Sequence, residues 1–271
     1  MLRMLKRVVI ASIFLALNAL FLTGIYFVFL KAPETCFDGK QNQNEQGIDC
    51  GGVCALVCRE IVVGKEFQVT EIAFVSGGQD VYDVLGMVYN PSDDIGASSF
   101  RYLFELKDSD GQVLATRSGK SFLLPRQRKN IIESNLETTG TPVTASLTFQ
   151  AVAWERSRGY QEAPAIGIYQ KNYTELSEGF GFSQATGVFT NESSYDFRSI
   201  FVQVILRDSL GKPIAFNKTK QDTVRAGESR DFKLIWPNRF SGTVDRIDME
   251  VDADVYHSEN FVKQYFPEGL R

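Results

Sequence analysis

Two stretches of this chain are near copies of each other. Leu106–Ala115 reads LKDSDGQVLA and Leu206–Ala215 reads LRDSLGKPIA. The copies extend to both sides. GMVYN at Gly86–Asn90 matches GVFTN at Gly187–Asn191, and LPRQRKNIIE near Pro125 parallels VRAGESRDFKL near Gly227. LTFQAVAW, toward the end of the first copy, answers IDMEVDADV in the second. A period of about 100 residues is the size of an immunoglobulin-like domain and too long for a solenoid unit. Whatever this chain folds into, it folds into it twice.

The texture of each copy says what that is. From residue 60 onward, apolar and polar residues alternate in short runs such as EFQVTEIAF and SLTFQAVAW, and turn signals recur about every ten residues. Sustained helical periodicity is absent. Asp108–Gly111 and Asp208–Gly211 are predicted hairpin turns, Gly77-Gly78 another, with glycine supplying positive φ. Asn90 and Asn191 are predicted to start turns, because an asparagine side chain bonds the backbone two residues on. Phe104 and Leu106, like Val204 and Leu206, share one strand face and are candidate core positions. The expected fold class is mainly β: two tandem Ig-like antiparallel β-sandwiches, residues 60–156 and 165–271. The linker, 157–164, is too short for free tumbling and predicts an end-to-end rod.

The segment FELKD, Phe104–Asp108, followed by a glycine turn, resembles the FxLYD family of small extracytoplasmic β-sandwich modules, with Lys107 in place of the family's tyrosine. In the second copy, VILRD, Val204 replaces Phe and Arg207 replaces Tyr. The resemblance covers two thirds of the chain. It implies an Ig-like fold and brings no catalytic residues.

Ahead of the repeat lies a different kind of sequence. Val8–Leu30 is 23 residues without a charge, about 35 Å as a helix, enough for a hydrocarbon core of about 30 Å. Arg3, Lys6 and Arg7 flank its start, which predicts a cytoplasmic tail at 1–7 and everything from about residue 31 outside. The run is longer than a signal-peptide core and is not closed by a small-residue cleavage site, so an uncleaved anchor is expected. Asn18 is its one strongly polar group; it can bond a backbone carbonyl or a neighbouring helix.

All four cysteines, Cys36, Cys50, Cys54 and Cys58, fall in the next segment, 31–59. Outside the cytoplasm they are expected to pair, and a piece this short needs such staples. Three connectivities are open. Zinc is the rival, but the spacing lacks the paired knuckles of zinc ribbons. Asp38, Asn42, Asn44, Glu45 and Asp49 carry the oxygen set that calcium uses. Lys40 and Gln43 interrupt the EF-hand pattern, and the bland reading is a series of turns. The stretch resembles a small cysteine-rich motif of exported bacterial proteins, C-x-D-G-x-x-N-x-x-E-x-G-x-D-C-G-G-x-C. It matches at Cys36, Asp38, Gly39, Asn42, Glu45, Gly47, Asp49, Cys50, Gly51, Gly52 and Cys54.

Removing Arg3, Lys6 and Arg7 from the 29 basic residues leaves 26 against 33 acidic, a net of −7. With no basic stripe, a nucleic-acid partner is not expected. Asp248, Glu250, Asp252 and Asp254 alternate with Met249, Val251, Ala253 and Val255, which predicts a solvated acidic face on an edge strand, with a cation site or a basic partner surface as the alternative. His257 is the one histidine and is expected at the surface. No Walker loop, G-x-S-x-G elbow or H-E-x-x-H helix is present. Three sequons, at Asn172, Asn191 and Asn217, fit glycosylation.

The expectation is therefore a non-enzymatic, single-pass cell-envelope protein without a resident cofactor, calcium apart. It binds a protein partner or spaces one from the membrane. The alternative is an accessory subunit of a membrane assembly, joined through the helix.

Overall fold

The computed structural model describes residues 2–26, 35–56, 58, 62–160 and 162–266. They fall into two compact units divided at residues 61 and 62.

The first unit begins with helix α1, Leu2–Ile25. Its Met4–Ile25 stretch has a mean hydropathy of 2.4 and is long and apolar enough to cross a membrane. The end of the expected span, 27–30, lies outside the described residues. The helix starts before the basic flank because nothing there breaks it. Its polar side chains turn inward on the backbone. Asn18 Nδ2 donates to Phe14 O (2.9 Å), Ser12 Oγ to Val8 O (2.9 Å) and Thr23 Oγ1 to Ala19 O (2.7 Å). Bonds to the carbonyl four residues back hide donors that lipid could not satisfy.

The cysteine-rich segment chooses one of its three connectivities. Cys36 pairs with Cys54 and Cys50 with Cys58, so the two bridges interlace. In place of an apolar core it has a brace of carboxylates. Glu45 is buried, and its Oε2 accepts from the backbone N–H of Asn42 (3.1 Å) and Asp49 (3.2 Å). Asp49 in turn accepts from the N–H of Asp38 (3.0 Å) and Gly39 (2.9 Å). Gly52 sits at φ 60°, where an added Cβ would strike the carbonyl of Asn44. Closing the longer loop contributes about 3 kcal/mol in the chain-entropy model. Alkylation of the unreduced, denatured chain should therefore label no cysteine, and reduction should expose all four. Labelling without reductant would refute the pairing.

The second unit carries the repeat as architecture. Copy one has β1 (Gln68–Gly78), β2 (Val81–Tyr89), β3 (Ile95–Lys107), β4 (Val113–Leu123), β5 (Arg128–Glu137) and β6 (Thr144–Arg156). Copy two has β7 (Ile166–Glu175), β8 (Ser183–Asn191), β9 (Phe197–Arg207), β10 (Pro213–Val224), β11 (Ser229–Trp236) and β12 (Arg246–Ala253). The sheets run β1-β2-β5 and β4-β3-β6 in the first sandwich, β11-β8-β7 and β10-β9-β12 in the second, all antiparallel. The two topologies are the same, strand for strand.

The repeated residues hold repeated bonds. Asp108 Oδ1 accepts from the N–H of Asp110 (2.9 Å) and Gln112 (2.8 Å); Asp208 Oδ1 accepts from Leu210 and Lys212 (2.9 Å each). Asn90 and Asn191 are wholly buried brackets. Asn90 Nδ2 donates to Ile95 O (2.8 Å) and Leu124 O (3.0 Å), Asn191 Nδ2 to Tyr195 O (2.8 Å) and Arg225 O (3.0 Å). Each also accepts from the residue two on, as expected. Buried this way, Asn191 offers no amide to a glycan. Gly86 leaves room for the opposite sheet, where an added Cβ would meet Leu147 and Phe104; at Gly187 a Cβ would meet the ring of Phe232, its cross-strand neighbour on β11.

The rod is not what forms. The sheets β1-β2-β5 and β10-β9-β12 meet face to face, and Leu85, Ile132, Ile205 and Phe216 make a separate apolar cluster, with Ala73 and Val75 packed on it. Their central strands, β2 and β9, are covered on both faces. Val84 and Val88 point into the first core while Leu85 points to the second sandwich; Val204 and Leu206 fill the second core while Ile205 faces the first sandwich. The connection 157–160 is held too. Ser157 Oγ donates to Asp94 O (2.8 Å), and the ring of Tyr160 packs on Phe261 and Tyr265. Those last two belong to a short helix, α2 (Glu259–Tyr265), whose Phe261 and Val262 close the second core.

Candidate functional site

The register of β9 with its neighbours composes one face from three strands. Phe201, Gln203, Ile205 and Arg207 alternate along it. Gln203 lies opposite Glu250 of β12 and Lys218 of β10; Ile205 opposite Asp248 and Phe216; Phe201 opposite Asp252 and Lys220. This face meets β5, where Asn130 and Ile132 point toward it.

At one end of the seam Arg207 is the clamp. It is 5% exposed. Its two terminal nitrogens donate to Glu71 Oε1 (2.7 Å) and Oε2 (2.8 Å) on β1, and its Nε to Asp248 Oδ2 (2.6 Å) on β12. A bidentate fork between planar groups fixes orientation as well as distance.

At the other end lies a groove of about 250 Å³ between the sandwiches. Lys129 is buried in its wall. Its ammonium sits 2.5 Å from Asp252 Oδ2, donates to Phe122 O (3.1 Å) and lies 3.3 Å from the centroid of the Phe122 ring. Burial holds this lysine below its ordinary pKa, although Asp252 and Asp254 pull the other way. Asp252 Oδ1 accepts from Gln127 Nε2 (3.1 Å). Asn130 Nδ2 donates to Glu250 Oε2 (2.6 Å), and burial raises the pKa of the Glu250 carboxyl. Gln203 Nε2 donates to Asn130 O (3.1 Å). These donor bonds orient both amides, and their oxygens, Asn130 Oδ1 and Gln203 Oε1, are buried without a hydrogen-bond partner. Lys218 at the rim donates to Glu133 Oε1 (2.9 Å), which also receives the Tyr102 hydroxyl (2.7 Å).

The acidic row of β12 is thus only in part the solvated face expected of it: Glu250 is exposed, while Asp252 and Asp254 are largely covered. Its alternation holds, with Met249, Ala253 and Val255 buried behind it. The carboxylates, however, meet Arg207, Lys129, Asn130 and Gln127 of elements distant in sequence. His257 lies in a 3-10 turn, Val255–His257, at the groove's rim, with Nδ1 2.8 Å from Asp254 Oδ2.

The calcium candidates are elsewhere, in the cysteine-rich segment. Asp49 and Glu45 spend oxygens on backbone N–H groups, and Asp38 accepts from Lys40 N (2.9 Å) and Asn42 Nδ2 (2.9 Å). Asn44 is exposed at φ 64°. Among the described residues the one group with ligand-like convergence there is Cys36, Glu45 and Cys54, and both cysteines are bridged.

Sequence reading missed Lys129, Asn130 and Gln203. A signal existed for the last: Gln203 is the lone polar residue inside the apolar run IFVQVIL.

No family model matches this chain, and no curated protein matches it. Solved structures that match include the crystal structure of red sea bream transglutaminase, at 12% identity and a TM-score of 0.23, over 70% of this chain and 29% of that one. The chain spans under a third of that protein's length, and a likeness this weak has no bearing on activity.

Proposed function

We propose that this is a membrane-anchored extracytoplasmic binding protein of the cell envelope, built from FxLYD-like modules and without catalytic activity. The observation that carries it is the sequence of parts: a membrane-length apolar helix, a segment closed by two disulfides that suits an oxidising compartment, and a double sandwich with a polar groove at its seam. Arg3, Lys6 and Arg7 keep the N-terminus inside, and the double sandwich is outside. Two sandwiches locked by Arg207 and the Leu85–Ile205 cluster present a groove of fixed shape, as a binding site requires. The histidine bears on catalysis. Among the described residues His257 pairs with Asp254, and no serine, threonine or cysteine bonds it. The alternative, a subunit held in an assembly through its helix, would draw on Asn18, and that side chain already donates to Phe14.

Topology is the test. Intact-mass analysis of the chain extracted from membranes should find residues 1–30 still attached. Protease added outside intact cells should digest the double sandwich. A mature chain that starts beyond residue 20, or a sandwich protected from external protease, overturns the reading.

A further inference from the structure

We infer that the cysteine-rich segment is a membrane-interface module, whose Phe37, Ile48, Val53 and Leu56 dip into the headgroup layer of the bilayer that holds the anchor. The inference extends the anchored reading above and rests on it.

The segment is polar inside and apolar outside. Residues 35–56 contain four large apolar side chains, and all four are at the surface: Phe37 is 88% exposed, Ile48 62%, Val53 63% and Leu56 60%. The interior belongs to the bridges and to the buried Glu45. Single exposed apolar residues need no explanation, but a concentration of them does. Here there are four in 22 described residues, against eight in the 204 described residues from 62 onward. The bridges also draw the four together. Phe37 and Val53 each adjoin a cysteine of the Cys36–Cys54 bridge, so their Cα atoms lie within about 13 Å, one step of about 3.8 Å either side of a 5.6 Å span. Ile48 lies in the turn where Gly47 N donates to Cys50 O (3.2 Å). Leu56 O accepts from Gly51 N (2.6 Å), next to the same cysteine.

Chain length names what covers them. Cys36 is six residues beyond Leu30, the last of the apolar run, at most about 20 Å of extended chain. A body of this size is itself about 20 Å across. On so short a tether it stays beside the bilayer, where exposed apolar side chains reach the acyl boundary. Charge has no part in the attraction. Lys31, Lys40 and Arg59 are outnumbered by Glu34, Asp38, Glu45 and Asp49, so a neutral phosphatidylcholine surface suffices and anionic lipid is not required.

The full chain should be reconstituted in phosphatidylcholine nanodiscs containing a phosphatidylcholine with a photoreactive diazirine high on its acyl chain. After irradiation, reduction and tryptic digestion, lipid adducts are expected on peptides 32–40 and 41–59 as well as on the helix. Leu210 is 91% exposed and Phe180 76%; the peptides that hold them should stay unlabelled, which separates contact with lipid from exposure alone. The combined variant Phe37→Ser, Ile48→Ser, Val53→Ser and Leu56→Ser should lose the adducts on 32–40 and 41–59 and keep those on the helix, with its cysteines still closed to alkylation until reduced. If that variant does not close its bridges, Phe37→Ser alone decides, by loss of the adduct on 32–40. Adducts on the helix with none on 32–40 or 41–59 would give the apolar cluster to a protein partner or to another part of the chain, and overturn the inference while the anchor stands. Equal labelling of the peptides with Leu210 and Phe180, or parent-level adducts in a variant with closed bridges, would overturn it too. A helix without adducts removes the anchored reading beneath it.

Discussion

Arg207→Ala is expected to destabilise the chain by about 3–5 kcal/mol, the usual cost of leaving buried charges without their counter-ion. The guanidinium is 5% exposed, and it neutralises two carboxylates from opposite sides of the seam: Glu71 of the first sandwich, bidentate, and Asp248 of the second. It also donates to the Gly211 carbonyl (2.9 Å), tying the β9–β10 turn to the same point. Alanine leaves Glu71 without its partner and Asp248 with Arg246 alone. Arg207→Lys keeps the charge and loses the fork, so it should fall between alanine and the parent. Thermal unfolding of the solubilised chain, followed by circular dichroism, should show alanine lowering the midpoint by about 10 °C, at 2–4 °C per kcal/mol for a body of this size. A drop of under about 1 kcal/mol would show that the clamp decorates the seam without holding it.

That the clamp is an arginine is a difference between the copies at one shared position. Lys107 occupies the same place in the first copy, and there, among the described residues, its ion pair is with Glu105 on its own strand. The repeat thus let the hairpin turns and the asparagine-started turns be read twice from one pattern. It concealed the seam, where the copies have diverged. The period-two reading gives each strand one face for a core and one for water, and β2, β5 and β9 have no face for water. Their signature is two or more apolar residues in succession: Val84-Leu85, Ile131-Ile132, Val204-Ile205-Leu206. Counted by alternation, every second member looks like an accident. The carboxylate row of β12 misled for a related reason. The side chains that answer Glu250 and Asp252 come from β5 and the turn before it, 120 and 125 residues earlier, a distance over which no local pattern reports. The same holds for the cysteines. Their oxidation follows from an exported location, but their order in the chain is equally compatible with three pairings. The Glu45 and Asp49 brace beside these bridges is built of acidic residues that look in the sequence like metal ligands and act in the fold as caps for backbone donors.

A fragment of residues 165–271, the second sandwich alone, is expected to fail as an independent monomer even though its boundary keeps all six strands. Cutting at the linker would be harmless in a rod. Here it strips the first sandwich from a face that carries Ile205 and Phe216, each about 1% exposed in the whole unit. Re-exposing two such side chains costs about 3–6 kcal/mol, at roughly 1.5–3 kcal/mol each. Arg207 loses Glu71, the β12 carboxylates lose Lys129, and Gln203 loses the carbonyl of Asn130. A domain of this length is stable by about 5–15 kcal/mol in total, so the apolar loss alone removes a large share of it. An exposed patch that combines Ile205, Phe216 and an arginine left with Asp248 alone also invites self-association. The fragment should elute as dimers or aggregates and melt well below the intact chain, while the intact double sandwich unfolds in one transition because neither half outlasts the other. Calorimetry and light scattering decide it. A monomeric fragment melting at the temperature of the whole, or two separate transitions in the intact chain, would mean that the seam is a contact between independent domains, and the groove would then lack the rigidity on which its binding role depends.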